Sequence, residues 1–211
     1  MFQNLHRQIE LVDLELQENN MIGISGYARS GKDTFGECLV KKLSEYGINA
    51  KVYALANQLK IDIDFLTKSD FGISAFTKND AEKYIIRPLL VGYGESWRKA
   101  NPHHWLDILD SNFESGYLPI ITDIRYENEA DWILDKNGFL LNLNRQISEN
   151  NYVGPANKEE EMNAPKVEKK SSFSLTWNTI EDEKIIEDIV ESFIISILGG
   201  MLDSWKVTYR L

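Results

Sequence analysis

Apolar and polar positions along this chain switch between two periods. Met21-Ile22-Gly23-Ile24-Ser25 is a short, nearly continuous apolar run of the kind that makes a buried strand. Thr34 to Tyr46 then places Phe35, Leu39 and Leu43 on one helical face, with Gly47 at the C′ position. The alternation continues downstream. Strands are predicted near 50–54, 118–122, 139–143 and 173–177, and helices from Ala56, over 81–90, 105–113, 127–136 and 181–205. Residues 62–80 show no clean period, and Gly92 and Gly94 follow the helical pattern of 81–90. Strands alternating with helices imply a parallel sheet with right-handed crossovers. In such sheets ligands gather at the carboxyl ends of the strands, where Gly26, Ala54, Asp123 and Arg145 fall.

Three segments fit the alternation less well. In residues 1–20, Leu5, Ile9, Val12 and Leu16 recur at helical spacing, while Val12, Leu14 and Leu16 also alternate. That segment reads as an N-terminal extension that packs on the domain or mediates self-association, as in a homodimer. Residues 145–172 are polar, carry Gly154, Pro155 and Pro165, and read as a long mobile loop or lid. The apolar run 193–202 is too short to span a bilayer and contains Gly199-Gly200, so it is expected as the buried face of the last helix.

Composition narrows the class. The 211 residues suffice for one α/β domain with a lid, and the 43% apolar fraction is that of a soluble globular chain. A net charge of −10 provides no overall basic field for nucleic acid or anionic membrane, although it leaves room for a local basic groove. The single cysteine, Cys38, excludes an internal disulfide framework and fits a reducing cytosol. The first 20 residues carry Glu10, Asp13, Glu15 and Glu18, which does not suit a signal peptide. A cytoplasmic protein is expected.

The candidate chemistry begins between the first strand and its helix. Gly26-Tyr27-Ala28-Arg29-Ser30-Gly31-Lys32 has the spacing of a loop that turns successive backbone N–H groups toward a polyphosphate. Lys32 is placed to reach the terminal phosphates, and Gly26, Ala28, Arg29, Ser30, Gly31, Lys32, Asp33 and Thr34 are the expected nucleotide-binding residues. Arg29 either joins them or faces the base or solvent. The position after the lysine, usually Ser or Thr, is Asp33. A second group follows the third strand. Ile120-Ile121-Thr122-Asp123 delivers a carboxylate suited to Mg²⁺, with Arg125 and Glu129 close behind. The bland alternative is that Asp123 caps the next helix while Arg125 pairs with Glu129. His103-His104 has no third ligand in view and is not expected to bind metal.

Three passages resemble the phage-type deoxynucleoside monophosphate kinases: residues 26–34, Arg87-Pro88-Leu89-Leu90-Val91-Gly92-Tyr93-Gly94-Glu95-Ser96-Trp97-Arg98, and Thr122-Asp123-Ile124-Arg125-Tyr126-Glu127-Asn128-Glu129-Ala130. Residues 56–60 and Trp177-Asn178 fit the same pattern, so the resemblance covers about 21–195. It implies a three-layer nucleoside-monophosphate-kinase fold with a five-stranded, mainly parallel sheet of order 2-3-1-4-5 and helices on both faces. One kinase domain over 21–211 would contain an acceptor-binding segment at about 56–105 and a lid at about 145–172. The implied activity is transfer of the ATP γ-phosphoryl to a deoxynucleoside 5′-monophosphate, with ATP and Mg²⁺ as cofactors. The expected catalytic residues are Lys32, Asp33, Arg125 and Arg145. The expected acceptor-binding residues are Lys60, Arg87, Glu95, Arg98, Trp105 and Glu129, and Asp33 and Asp123 are the Mg²⁺ residues. Arginine suits these positions because its planar fork binds phosphate oxygens bidentately. Trp97, Trp105, Tyr93 and Phe65 are candidates to stack on a base.

Two other function classes share the phosphate-binding half. One is a kinase that phosphorylates a hydroxymethylated pyrimidine within DNA; the acidic balance argues against it. The other is a non-catalytic nucleotide-binding module, which would have little use for Lys32, Asp33, Asp123 and several arginines together.

Overall fold

The computed structural model describes residues 21–148, 151–178, 182–198 and the backbone of 205–208. The expected N-terminal extension, 1–20, lies outside the described residues. The strands are β1 (Ile22–Ser25), β2 (Ala50–Tyr53), β3 (Leu118–Ile124), β4 (Phe139–Ser148), β5 (Asn151–Tyr152), β6 (Phe173–Trp177) and β7 (Trp205–Thr208). The helices are α1 (Lys32–Glu45), α2 (Leu55–Phe71), α3 (Asp80–Ala100), α4 (His104–Ser111), α5 (Glu127–Asp135), α6 (Lys158–Lys170) and α7 (Glu183–Leu198).

The sheet order is β2-β3-β1-β4-β6-β7, which for the five expected strands is 2-3-1-4-5. β1 pairs in parallel with β3 and β4, and β4 in parallel with β6. On one face, Ile22, Ile24, Leu141 and Leu143 meet Phe35, Leu39 and Leu43 of α1 and Ile186, Val190 and Phe193 of α7. The opposite face carries α5: a Cβ on Gly23 would lie 3.0 Å from Ile133 of that helix and 3.1 Å from Leu140. Helices therefore cover both faces of a mainly parallel sheet, as expected.

Several elements differ from expectation. α2 runs through to Phe71, and α3 runs to Ala100, beyond the 81–90 expected. α6 occupies 158–170, within the segment read as a loop, and β4 runs on to Ser148, so Arg145 lies in a strand. Asn157 caps α6, its Oδ1 accepting the Glu160 N–H at 2.8 Å, and Lys170 ties the other end to Asp131 of α5 at 2.6 Å. At the chain's end, α7 is described to Leu198 and Trp205 begins β7, in parallel register with β6, where one long helix was expected.

The chain forms two compact units, Tyr53–Ser115 being one and the chain on either side of it the other. In the smaller unit, Leu55, Leu59, Ile63 and Thr67 line the buried face of α2. α3 is continuous through Pro88, Gly92 and Gly94. Gly94 is needed for packing, because a Cβ there would stand 2.7 Å from Leu59 of α2. Trp105 (4% exposed), Leu106 and Leu109 of α4 complete this core.

Candidate active site

The loop between β1 and α1 is held by its neighbours on three sides. Gly26 (φ +135°) lies so close to β4 that a Cβ would sit 2.2 Å from the Leu143 carbonyl oxygen, a position only glycine tolerates. The Ser30 N–H bonds the Tyr27 carbonyl at 3.1 Å, and Arg29 takes a left-handed conformation (φ 68°). From β6, the buried Trp177 indole donates its Nε1–H to the Ser30 carbonyl at 2.7 Å. The same ring packs edge-on to Phe35 of α1 at 5.9 Å. Loop, helix and last central strand are thus fixed together by one side chain.

Lys32 opens α1 and folds back over the loop, its Nζ donating to the Gly26 and Tyr27 carbonyls, both at 2.8 Å. Burial pushes its pKa down to about 8, the Arg125 guanidinium adds to this, and the charges of Glu160, Asp33 and Asp123 oppose it. Arg125, Asp33 and Asp123, expected from sequence to converge, therefore act on one ammonium. Asp33 is oriented by Thr122, whose Oγ1 donates to its Oδ1 at 2.8 Å. α1 can approach β3 this closely because residue 36 is glycine: a Cβ there would lie 2.6 Å from the Thr122 methyl.

β3 is irregular at this point. Gly23 and Ser25 of β1 register with Ile121 and Ile124 of β3, so β3 carries one extra residue across Thr122–Asp123. Such a bulge re-aims side chains relative to strict alternation. Beyond it, Glu129 is 3% exposed and its Oε2 accepts the N–H groups of Arg125 (2.8 Å) and Tyr126 (3.1 Å). Its carboxylate fastens the entry to α5, so the Glu129–Arg125 link runs through the Arg125 backbone. Arg145 presents an enclosed Nε with no hydrogen-bond partner in the structure.

Mg²⁺ demands few protein ligands, commonly one or two carboxylates plus phosphates and waters. Asp33 and Asp123 meet that requirement, and no cluster of three metal-ligating side chains occurs among the described residues.

The remaining expected residues belong to the smaller unit. Arg87 is exposed and Arg98 half-buried, both on α3. Eleven residues is close to three helical turns, so the two share a face roughly 16 Å apart along the axis. Glu95 is 4.0 Å from Lys99, and Lys60 sits over the Phe76 ring at 5.9 Å. Trp105 is a core residue whose Nε1–H reaches the Gly94 carbonyl at 3.4 Å. Trp97 stacks on His104 at 4.0 Å between centroids, with Tyr93 packed against Trp97 and Trp105, while Phe65 is fully at the surface.

Three residues that build the site were not singled out from sequence: Thr122, Trp177 as the loop's anchor, and Glu160, whose Oε1 accepts the Ala28 N–H at 2.9 Å. Thr122 adjoins a recognised carboxylate and was within reach. Glu160 lies in an acidic run whose contact with the loop depends on a tertiary turn.

No family model and no curated protein sequence matches the chain. Among solved structures, it resembles shikimate kinase from Bacteroides thetaiotaomicron with a TM-score of 0.50 at 16% identity, covering 85% of this chain and 98% of that one. Shikimate kinase from Aquifex aeolicus aligns at 0.45 and 16% identity, over 85% and 99% of the two chains. APS kinase from Mycobacterium tuberculosis, in complex with AMPPNP and APS, aligns at 0.41 and 13%, over 84% and 96%. The chain has the fold of the P-loop kinases.

Proposed function

We propose that this chain is an ATP-dependent phosphotransferase whose acceptor is the 5′-monophosphate of a deoxynucleoside. The observation that carries the donor half is the convergence of Lys32, Arg125, Asp33 and Asp123 on the loop after β1. Phosphoryl transfer needs positioning and charge neutralisation more than covalent catalysis, and this set supplies both. Lys32 exchanges its two loop carbonyls for phosphate oxygens. Arg125 stabilises charge developing at the transferred group, and Arg145, half-buried with its Nε enclosed, adds a second cation. Asp33, oriented by Thr122, and Asp123 hold Mg²⁺ directly or through water; the ion supplies further charge neutralisation when bound.

The acceptor half rests on the resemblance of 87–98 to the phage-type kinases. Arg98, half-buried on α3, is one candidate ligand for the acceptor phosphate. Arg87, exposed and roughly 16 Å from Arg98 along α3, is the other candidate cation for the acceptor monophosphate. An acceptor that is already an anion requires no strong general base, and none is assigned. No described helix is long and apolar enough to cross a membrane. A cytoplasmic place, in a host cell if the gene is a phage's, fits the single cysteine.

The test is a coupled assay of ATP with dAMP, dGMP, dCMP, dTMP, their hydroxymethyl analogues and duplex DNA. Turnover with at least one free monophosphate is expected, together with its loss in Lys32→Ala while the fold is kept. Transfer to duplex DNA alone would replace the monophosphate reading, and near-normal turnover of Lys32→Ala would remove the loop assignment.

A further inference from the structure

Glu160 is a carboxylate standing on a loop built for anions. Its Oε1 accepts the Ala28 N–H at 2.9 Å, and its Oε2 accepts the Ala156 N–H at 2.6 Å. Its own N–H is capped by Asn157 at 2.8 Å. One side chain therefore closes the first turn of α6 and occupies a loop N–H group simultaneously. Neighbouring residues reinforce the contact. Glu159, one position earlier, bonds the Tyr126 hydroxyl at the entry to α5. Tyr27 in the loop is pushed above its usual pKa by burial and by the charges of Glu168, Glu160 and Glu161, so α6 presents a negative face to the loop.

An acidic first turn stabilises α6, since negative charge is favourable at a helix N-terminus. The same charge opposes any polyphosphate that approaches Ala28. Both anions cannot hold that N–H group. We infer that Glu160 is a resident competitor for the phosphate site: its carboxylate occupies the loop in the free protein, and a bound polyphosphate ejects it and releases the first turn of α6. The inference rests on the reading of the loop as the ATP donor site. It makes Glu160 a specificity-determining residue. A ligand gains entry to the Ala28 N–H only if its phosphate chain outcompetes a carboxylate, so the barrier acts on polyphosphates and spares an uncharged nucleoside.

The experiment is calorimetric titration of the full chain with ATP, inorganic tripolyphosphate and adenosine at pH 7, where Lys32 is charged. Wild type, Glu160→Gln and Lys32→Ala are compared, and backbone hydrogen exchange of 154–162 is followed with and without ATP. The glutamine keeps the size and removes the charge. It is expected to tighten ATP and tripolyphosphate about tenfold, the worth of one charge-assisted hydrogen bond, with adenosine unchanged. In wild type, ATP is expected to speed exchange over 154–162. Lys32-dependent ATP binding that is equal or weaker in Glu160→Gln overturns the inference alone. So does slower exchange over 154–162 with ATP in wild type, a readout that stands even if the variant does not fold. Absence of any Lys32-dependent ATP binding in wild type and variant overturns the donor-site reading and the inference with it.

Discussion

Burial holds the Lys32 ammonium at a pKa of about 8, against 10.5 for a free lysine. In the unfolded chain the same group keeps its proton up to about 10.5, so between these values the unfolded state binds more protons. Stability contributed by this group therefore rises with pH across that window, and below pH 8 the charged lysine is a full burden on the fold. The ceiling of that burden is about 3 kcal/mol. Lys32→Met removes it but strands the Gly26 and Tyr27 carbonyls, at about 1 kcal/mol each. Thermal unfolding should find the methionine variant more stable at pH 7 by about 1 kcal/mol and less stable than wild type above pH 10.5. A variant that is weaker at pH 7 would contradict the burial argument. On the proposed donor-site reading, ligand phosphates would turn this burden into an attractive charge. Thr122 poses a smaller question. Thr122→Val keeps the shape and deletes the proton donated to Asp33, so stability should fall by about 1 kcal/mol. Half-saturation by Mg²⁺ should rise severalfold, and an unchanged Mg²⁺ requirement would separate Asp33 from the metal.

Among the elements, α1 and β3 show how packing overrides propensity. Alanine is a better helix former than glycine by about 1 kcal/mol, so Gly36→Ala would stabilise an isolated α1. In the folded chain the added Cβ would lie 2.6 Å from the Thr122 methyl, and overpacking of this kind costs about 1–3 kcal/mol. A net loss of stability is expected, with activity reduced because Thr122 is displaced from Asp33; chemical denaturation and turnover of this variant measure both. Elements with a repeating buried face were legible in the sequence. Phe35, Leu39 and Leu43 announce α1, and Ile22 and Ile24 announce β1. α2 was only half legible, since exposed Ile61 and Phe65 lie across from its buried stripe and blur the period. α6 was illegible: Val167 is its one buried apolar residue, and its order comes from the Asn157 cap and the Lys170–Asp131 pair, which no local pattern reveals. In α3, Gly92 and Gly94 read as following a helix that ends near residue 90, while the tertiary role of Gly94 is to admit Leu59.

At the scale of the whole molecule, the chain's division into two units separates two groups of candidate residues. Lys32, Asp33, Asp123 and Arg125 belong to the sheet-containing unit, and Lys60, Arg87, Glu95 and Arg98 to Tyr53–Ser115. The donor loop could be read from spacing alone, because Gly26, Gly31 and Lys32 obey local backbone geometry. The acceptor residues carry no such local constraint, and their assignment came from resemblance. The β3 bulge that brings Thr122 and Asp123 to the site was equally hidden, since a run of apolar residues does not mark where register slips. This division predicts separable kinetics. Arg98→Ala should raise KM for the monophosphate about 10- to 100-fold, the cost of one charge-assisted phosphate contact, and leave KM for ATP within about twofold. Arg125→Ala should depress kcat far more than it weakens ATP affinity, because a group that acts on developing charge contributes little to the ground state. Steady-state kinetics with each substrate varied in turn distinguish the two. If Arg98→Ala weakened ATP instead, the acceptor would have to be assigned elsewhere; if Arg125→Ala changed only ATP affinity, Arg125 would be a ground-state ligand rather than a transition-state one.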